Sequence, residues 1–271
     1  MPPVDPVDLA RELTDAYAHR RIISELPTLR DASFDVRAAY AVEAELTRLR
    51  RAAGHTTVGR KVGFANKALW RVLKLDTLVW APMYDDTVRH AARDVSTLPV
   101  GRMVSPKIEP EIVFKLRRPL TGGDPAAVLD AVDWLALGFE VIDCIYADWK
   151  FQPADFIAAF GLHAALVVGE PQPVQPAHVT TLVEQLATFT VKLLKDDQLA
   201  AEGSGRNVLR SPALCLGELA RACAAAGEPL AAGELISTGT LTESQPMTAG
   251  QTWTTRVSGL DVPELSVRTV A

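Results

Sequence analysis

Glu109 and Glu111 stand two residues apart in Lys107-Ile108-Glu109-Pro110-Glu111-Ile112-Val113-Phe114. The β-branched and aromatic residues of this run predict a strand. Side chains alternate along a strand, so both glutamates point to one face. Two carboxylates there repel each other and resist desolvation. A hard divalent cation, Mg²⁺ or Mn²⁺, relieves both problems because it prefers oxygen ligands. The plainer reading is an acidic face turned to water on a half-exposed strand. Pro110 lacks an N–H, which puts the segment at a sheet edge or a bulge, where a cleft opens. A third carboxylate, Glu140, lies in Leu137-Gly138-Phe139-Glu140-Val141-Ile142, a second short strand pattern. An amphipathic stretch over 126–135 predicts a helix between them. Such a strand–helix–strand unit brings Glu140 beside Glu109 and Glu111. Three carboxylates with no His or Cys cluster nearby form a hard-metal set rather than a zinc set.

Other side chains are candidates for the same cleft. Lys61, between the glycines of Gly59-Arg60-Lys61-Val62-Gly63, is placed to hold an anionic group; the alternative is a surface lysine on an edge strand. Asp86 follows an apolar segment and is an acid–base candidate, with turn chemistry as its alternative. His163 opens the apolar run 163–168 and is a proton-relay candidate, or a hydrogen-bonded structural histidine. Lys150, in Asp148-Trp149-Lys150-Phe151, is a candidate for binding substrate. The loops Gly203-Ser204-Gly205 and Thr238-Gly239-Thr240 offer backbone N–H groups to an anion.

The elements that must position these groups are legible in outline. Residues 5–20 and 35–53 show helical spacing of apolar side chains and form a helical region before the main body. Strands are expected over 58–64, 108–114, 137–142, 161–168, 189–194, 235–237, 253–257 and 265–270, with Asp196-Asp197 as a hairpin turn. Helices are expected over 66–73, 153–160 and 214–226, the last ended by Gly227. Residues 200–210 read as a Gly-rich loop, and 171–176 as a surface connection.

The 271 residues, 48% hydrophobic and 23% charged, suit one large globular unit. A net charge of −5 argues against a nucleic-acid partner. The three cysteines, Cys144, Cys215 and Cys223, lack a C-x-x-C spacing and fit a reducing cytoplasm rather than a disulfide framework. Met1-Pro2-Pro3-Val4-Asp5 has neither the basic region nor the apolar core of a signal peptide. No apolar run approaches the roughly 18 residues of a membrane span. No dinucleotide fingerprint, P-loop or nucleophile elbow is present.

Gly59-Arg60-Lys61-Val62-Gly63, Pro106-Lys107-Ile108-Glu109-Pro110-Glu111-Ile112, Glu140-Val141-Ile142-Asp143 and Gly233-Glu234-Leu235-Ile236-Ser237-Thr238-Gly239 occur in this order. Together they resemble the 2-keto-4-pentenoate hydratase / 4-oxalocrotonate decarboxylase family of the fumarylacetoacetate hydrolase superfamily. The resemblance implies an α+β fold: a mixed β-roll with flanking helices over 57–271, after a helical region over 1–56, as one continuous unit. It implies a homo-oligomer with Mg²⁺ or Mn²⁺ on Glu109, Glu111 and Glu140. It places the family's lysine at Lys61, its acidic loop residue at Asp86, and its pocket-lining T-G loop at Thr238 and Gly239. Where the family carries A-D-N-A-S, this chain reads Ala158-Ala159-Phe160-Gly161-Leu162-His163.

The activity implied is hydration of a 2-hydroxy-2,4-dienoate to a 4-hydroxy-2-oxo acid, in the catabolism of ring-cleaved aromatic compounds. Ketonisation at C5 precedes addition of water at C4. Lys61 neutralises the substrate carboxylate, and Asp86 first, His163 second, move the protons. Three alternatives stand beside it. They are a 4-oxalocrotonate-type decarboxylase, an acylpyruvate-type C–C hydrolase, and a non-catalytic subunit that assembles with a partner enzyme of the pathway.

Overall fold

The structure, a computed structural model, describes residues 3–92 and 95–271. Met1 and Pro2, which open the stretch read above for a signal peptide, lie outside the described residues.

Three helices come first. Asp5 caps α1 (Pro6–Ala18): its carboxylate accepts from the N–H groups of Val7 and Asp8, and Pro6 follows at the first helical position. A single turn, α2 (Pro27–Arg30), leads to α3 (Val36–Ala52), capped by Asp35 on the Ala38 N–H. Next come β1 (Thr57–Gly63), α4 (Lys67–Leu73), β2 (Val79–Tyr84), β3 (Val88–His90) and β4 (Val95–Pro99). The long strands β5 (Pro106–Leu116) and β6 (Val132–Asp143) flank α5 (Pro125–Asp130). Then α6 (Pro153–Ala158) passes through a 3-10 turn at Phe160–Leu162 into β7 (His163–Val168) and the short β8 (Gln172–Pro173). After α7 (Val179–Thr188) come the hairpin strands β9 (Thr190–Lys195) and β10 (Gln198–Ser204). The chain closes with α8 (Pro212–Ala225), β11 (Leu235–Ser237), β12 (Gln245–Pro246), β13 (Thr252–Ser258) and β14 (Leu265–Val270).

Among the described residues the strands form two mixed sheets. One runs β2-β1-β11-β5-β6-β7-β3, with β12 added to β5 and β8 to β6; the other runs β10-β9-β13-β14-β4. A large apolar core, including Phe114, Phe139, Leu216 and Trp253, joins both sheets to α8. A second core packs Leu9, Leu13, Val42 and Leu46 of α1 and α3 against Tyr146, Phe156 and Ile157. The amino-terminal helices thus buttress α6, and α6 carries the Phe156 ring over which Lys61 lies. This mixed roll with flanking helices is the fold class expected from sequence.

Several local expectations are corrected. The helix expected over 126–135 stops at Asp130, because Val132, Trp134 and Leu135 pair with β5 and the sheet prevails over helical spacing. Pro110 is at neither an edge nor a bulge: β5 lies mid-sheet. Its partner on one side, however, changes from β11 at Val113 to β12 at Ile108. A residue's N–H and C=O point the same way in a strand, and the Pro110 carbonyl accepts from the Leu241 N–H at 2.8 Å in that gap. The missing N–H therefore faces a loop and costs no ladder bond. Residues 198–204 form β10, where a loop was expected. Nor is β1 an edge strand; it lies between β2 and β11. Its glycines answer to packing: a Cβ at Gly59 would meet the Leu235 carbonyl oxygen at 1.9 Å, and one at Gly63 would meet the Phe156 ring at 2.4 Å.

Candidate metal centre

The antiparallel register of β5 and β6 sets Glu109 directly opposite Glu140, and Glu111 opposite Gly138. Because Glu109 and Glu111 share a face, all three carboxylates meet there, with one oxygen from each within 4.8 Å of the others. Glu111 and Glu140 are fully buried, and Glu109 keeps a partly exposed side. Glu111 Oε2 accepts from the Ser237 hydroxyl and from the Gly239 N–H at 2.8 Å. Glu140 Oε1 lies 2.9 Å from His163 Nδ1, and His163 Nε2 lies 3.0 Å from the Thr87 hydroxyl.

Lys61, 2% exposed, brings its ammonium 3.0 Å from Glu140 Oε2 and donates to the Gly161 carbonyl at 3.1 Å. Its approach to Oε2 is an ion pair off the line of a hydrogen bond. Glu140 Oε2 and Glu111 Oε1 are thus buried oxygens without an aligned donor among the described residues. Orphaned buried acceptors are costly, about 1–3 kcal/mol each and more when charged. Two such oxygens beside a third carboxylate form an all-oxygen donor set that fits a hard divalent cation.

The charges confirm a site short of positive charge. Burial pushes Glu109 up to about 7, against the pull of Lys61 and with the help of Glu140. Burial and the charges of Glu140 and Glu109 hold Glu111 well above the usual carboxylate range. Burial also works against ionised Glu140, but Lys61 and the His163 bond outweigh it and keep this carboxyl low. For Lys61, burial favours the neutral amine; the carboxylates of Glu140, Glu109 and Glu111 overcome it and raise its pKa. One ammonium therefore serves three carboxylates, of which metal-free protein ionises Glu140 most readily.

Of the residues singled out from sequence, the fold gathers Glu109, Glu111, Glu140, Lys61, His163 and Gly239. The Thr238 hydroxyl instead donates to the Ile112 carbonyl, where it fastens the loop to β5. Asp86 is not brought to the carboxylates. It pairs with Arg50, lies 3.5 Å from His55, and lines a 260 Å³ cavity with Thr87 and His163. Its position is set by β2, which ends at Tyr84 and turns Asp85 and Asp86 outward. Lys150 is also elsewhere: its side chain is 79% exposed and pairs with Asp148 at 3.4 Å. Sequence reasoning passed over Ser237, Gly161 and Thr87. Ser237 sits in register with Lys61 across β1 and β11, a pairing that no local pattern encodes.

The fumarylacetoacetate hydrolase C-terminal family matches residues 78–268. A 2-hydroxypent-2,4-dienoate hydratase of Pseudomonas putida is 30% identical over 216 residues, covering 79% of this chain and 93% of the relative. A 4-oxalocrotonate decarboxylase of Pseudomonas sp. (strain CF600) is 31% identical over 224 residues, covering 82% and 81%. Among solved structures, a 4-oxalocrotonate decarboxylase from Pseudomonas putida G7, complexed with magnesium and adipate, superposes with a TM-score of 0.86. It is 26% identical, with 98% of this chain and 97% of that one covered.

Proposed function

Because the chain belongs to the fumarylacetoacetate hydrolase C-terminal family, we propose that it is a divalent-metal-dependent lyase acting on 2-hydroxy-2,4-dienoic or 2-oxo-enoic acids. The observation that carries this reading is the meeting of Glu109, Glu111 and Glu140, with two orphaned oxygens, around a single ammonium. These three carboxylates would hold Mg²⁺ or Mn²⁺. Bound there, the cation supplies Lewis-acid stabilisation of enolate charge, the high-energy feature shared by hydration and decarboxylation of such acids.

The chain's own residues do the rest. Lys61 adds a fixed positive charge beside the metal ligands and receives the substrate's carboxylate end. His163 and Lys61 together hold Glu140 ionised and oriented. Ser237 and the Gly239 N–H fix Glu111. The Phe156 ring, with the Lys61 ammonium 5.0 Å from its centre, walls the amine off from water on that side. His163, bridging Glu140 and the 260 Å³ cavity through Thr87, is better placed than Asp86 to move a proton.

Hydration of 2-hydroxypenta-2,4-dienoate is the first reading. Decarboxylation of 2-oxohex-3-enedioate is the second, and the close superposition on a decarboxylase favours it. We place the protein in the cytoplasm as a homo-oligomer; its three cysteines are buried and free, as suits a reducing compartment. No described helix is long and apolar enough to cross a membrane. Incubation of Mg²⁺-loaded protein with each acid, followed by ultraviolet absorbance, tests the reading. Loss of the dienoate band with formation of 4-hydroxy-2-oxopentanoate identifies a hydratase, and release of CO₂ a decarboxylase. Turnover of neither acid refutes both.

A further inference from the structure

Cys215 lies against the loop that holds Glu111. It is fully buried on α8, within the large core. Ser211 caps that helix: its hydroxyl accepts from the Ala213 N–H at 3.3 Å, and its carbonyl from the Cys215 N–H at 3.0 Å. The sulfur is therefore carried on a rigid element rather than on a loop. Its thiol donates to the Thr238 carbonyl, with sulfur and oxygen 3.1 Å apart. Burial, and after it the Glu111 carboxylate, hold this thiol well above its ordinary range, which favours the S–H form that can donate.

The carbonyl that accepts this bond and the N–H that Glu111 accepts belong to one peptide unit. In a trans peptide the C=O and N–H share a plane and point opposite ways. Thr238 turns its oxygen to Cys215, and Gly239 turns its N–H to Glu111 Oε2 at 2.8 Å. A rotation of that plane loosens both bonds together. The flanks are pinned separately. The Thr238 N–H and hydroxyl both donate to the Ile112 carbonyl, at 3.2 and 2.9 Å, and the Leu241 N–H donates to the Pro110 carbonyl at 2.8 Å. Gly239 has no Cβ to stiffen its φ of 103°, so the plane between these pins needs an anchor from outside the loop.

We propose that Cys215 is a positioning residue of the metal centre: its thiol fixes the Thr238–Gly239 peptide plane and, through the Gly239 N–H, the aim of Glu111 at the ion. This inference rests on the reading of Glu109, Glu111 and Glu140 as ligands of Mg²⁺ or Mn²⁺. Ser237 and Gly239 hold Glu111 Oε2, which leaves the buried, unpaired Oε1 to face the cation. Where Oε1 lies is set by where Oε2 is tied. A thiol is a weak donor, but here it acts on a peptide polarised by a carboxylate, and bonds in such a chain strengthen one another.

Calorimetric titration of Mg²⁺ into the metal-free full chain tests it, beside thermal unfolding. C215A is expected to weaken Mg²⁺ about tenfold, as loss of a partner that orients a ligand does. C215S keeps a donor and is expected to regain most of that affinity. C223A removes the same atom from another fully buried position on α8; it is expected to lower Tm and leave Mg²⁺ affinity unchanged. The S–H infrared stretch that C215A and C215S remove is expected to shift when Mg²⁺ loads the unaltered protein. Undiminished affinity in C215A, no recovery in C215S, an equal loss in C223A, or an S–H stretch indifferent to Mg²⁺ overturns the positioning role and leaves the metal-centre reading in place. Absence of Mg²⁺ binding by the unaltered protein overturns both.

Discussion

Substitution of Glu111 by Gln separates the metal-free protein from the metal-loaded one. In the metal-free protein, burial and two neighbouring carboxylates hold Glu111 well above the usual range, which favours its protonated form. Gln is close to an isostere of that protonated form. Its carbonyl can accept from Ser237 and Gly239 as Oε2 does now, which points its amide toward Glu109 and Glu140 from the place of the orphaned Oε1. Against the ionised carboxylate, a donor replaces an unpaired acceptor beside charge. Such a bond contributes roughly 1–2 kcal/mol. For a chain of this size that raises the metal-free Tm by about 2–8 °C. With metal the sign reverses. The unaltered protein gains about 2.7 kcal/mol at a Mg²⁺ concentration a hundred times Kd. Removal of a charged ligand should weaken Mg²⁺ by at least about 100-fold, abolishing that gain at the same concentration. Thermal unfolding with and without Mg²⁺, beside calorimetric titration, reads both effects. A destabilised metal-free variant, or one whose Tm still rises with Mg²⁺ as before, would refute the reasoning.

Stability of the metal-free protein should fall as pH rises. Glu109 and Glu111 have folded pKa values raised above the ordinary 4.5, so their contribution is full below that value. The Glu109 share is lost as pH climbs through about 7. Glu140, held low, acts in the opposite sense, its contribution present above 4.5 and lost on acidification through its folded pKa. Urea unfolding between pH 5 and 8 should show the decline, and saturating Mg²⁺ should flatten it. His163→Ala strips Glu140 Oε1 of its donor and should cost about 1–3 kcal/mol and weaken Mg²⁺ roughly tenfold, while His163→Gln restores most of both. Gly239 sits at φ 103°, and an added Cβ would lie 2.9 Å from that of Ala65. Gly239→Ala should therefore cost roughly 1–3 kcal/mol and lower Mg²⁺ affinity by displacing the N–H from Glu111, as calorimetry would report. Lys150→Ala should leave Mg²⁺ affinity unchanged and shift stability by less than about 0.5 kcal/mol, because the side chain is 79% exposed.

Residue chemistry and short-range periodicity were enough to single out the three carboxylates that the fold brings together. Alternation along Lys107–Phe114 forces Glu109 and Glu111 to one face whatever the sheet around them, and a donor set made of carboxylates suits a hard ion. Helical spacing of apolar side chains likewise placed the ends of α1 and α3 within a residue or two. The pairing of distant strands decided the rest. Glu109 faces Glu140 because β5 and β6 adopt one register, and a slip of one residue would turn Glu140 to the opposite face. Lys61 is a buried counter-charge rather than a surface lysine because β11 and β2 enclose β1 on both sides. Pro110 survives in mid-sheet because two short strands share one flank of β5 and leave a gap at its nitrogen. Asp86 is drawn to Arg50 of α3, a partner 36 residues away that no local window contains. Burial and register are properties of the assembled sheet, so the sequence names the groups that can do the chemistry and the tertiary fold selects which of them meet.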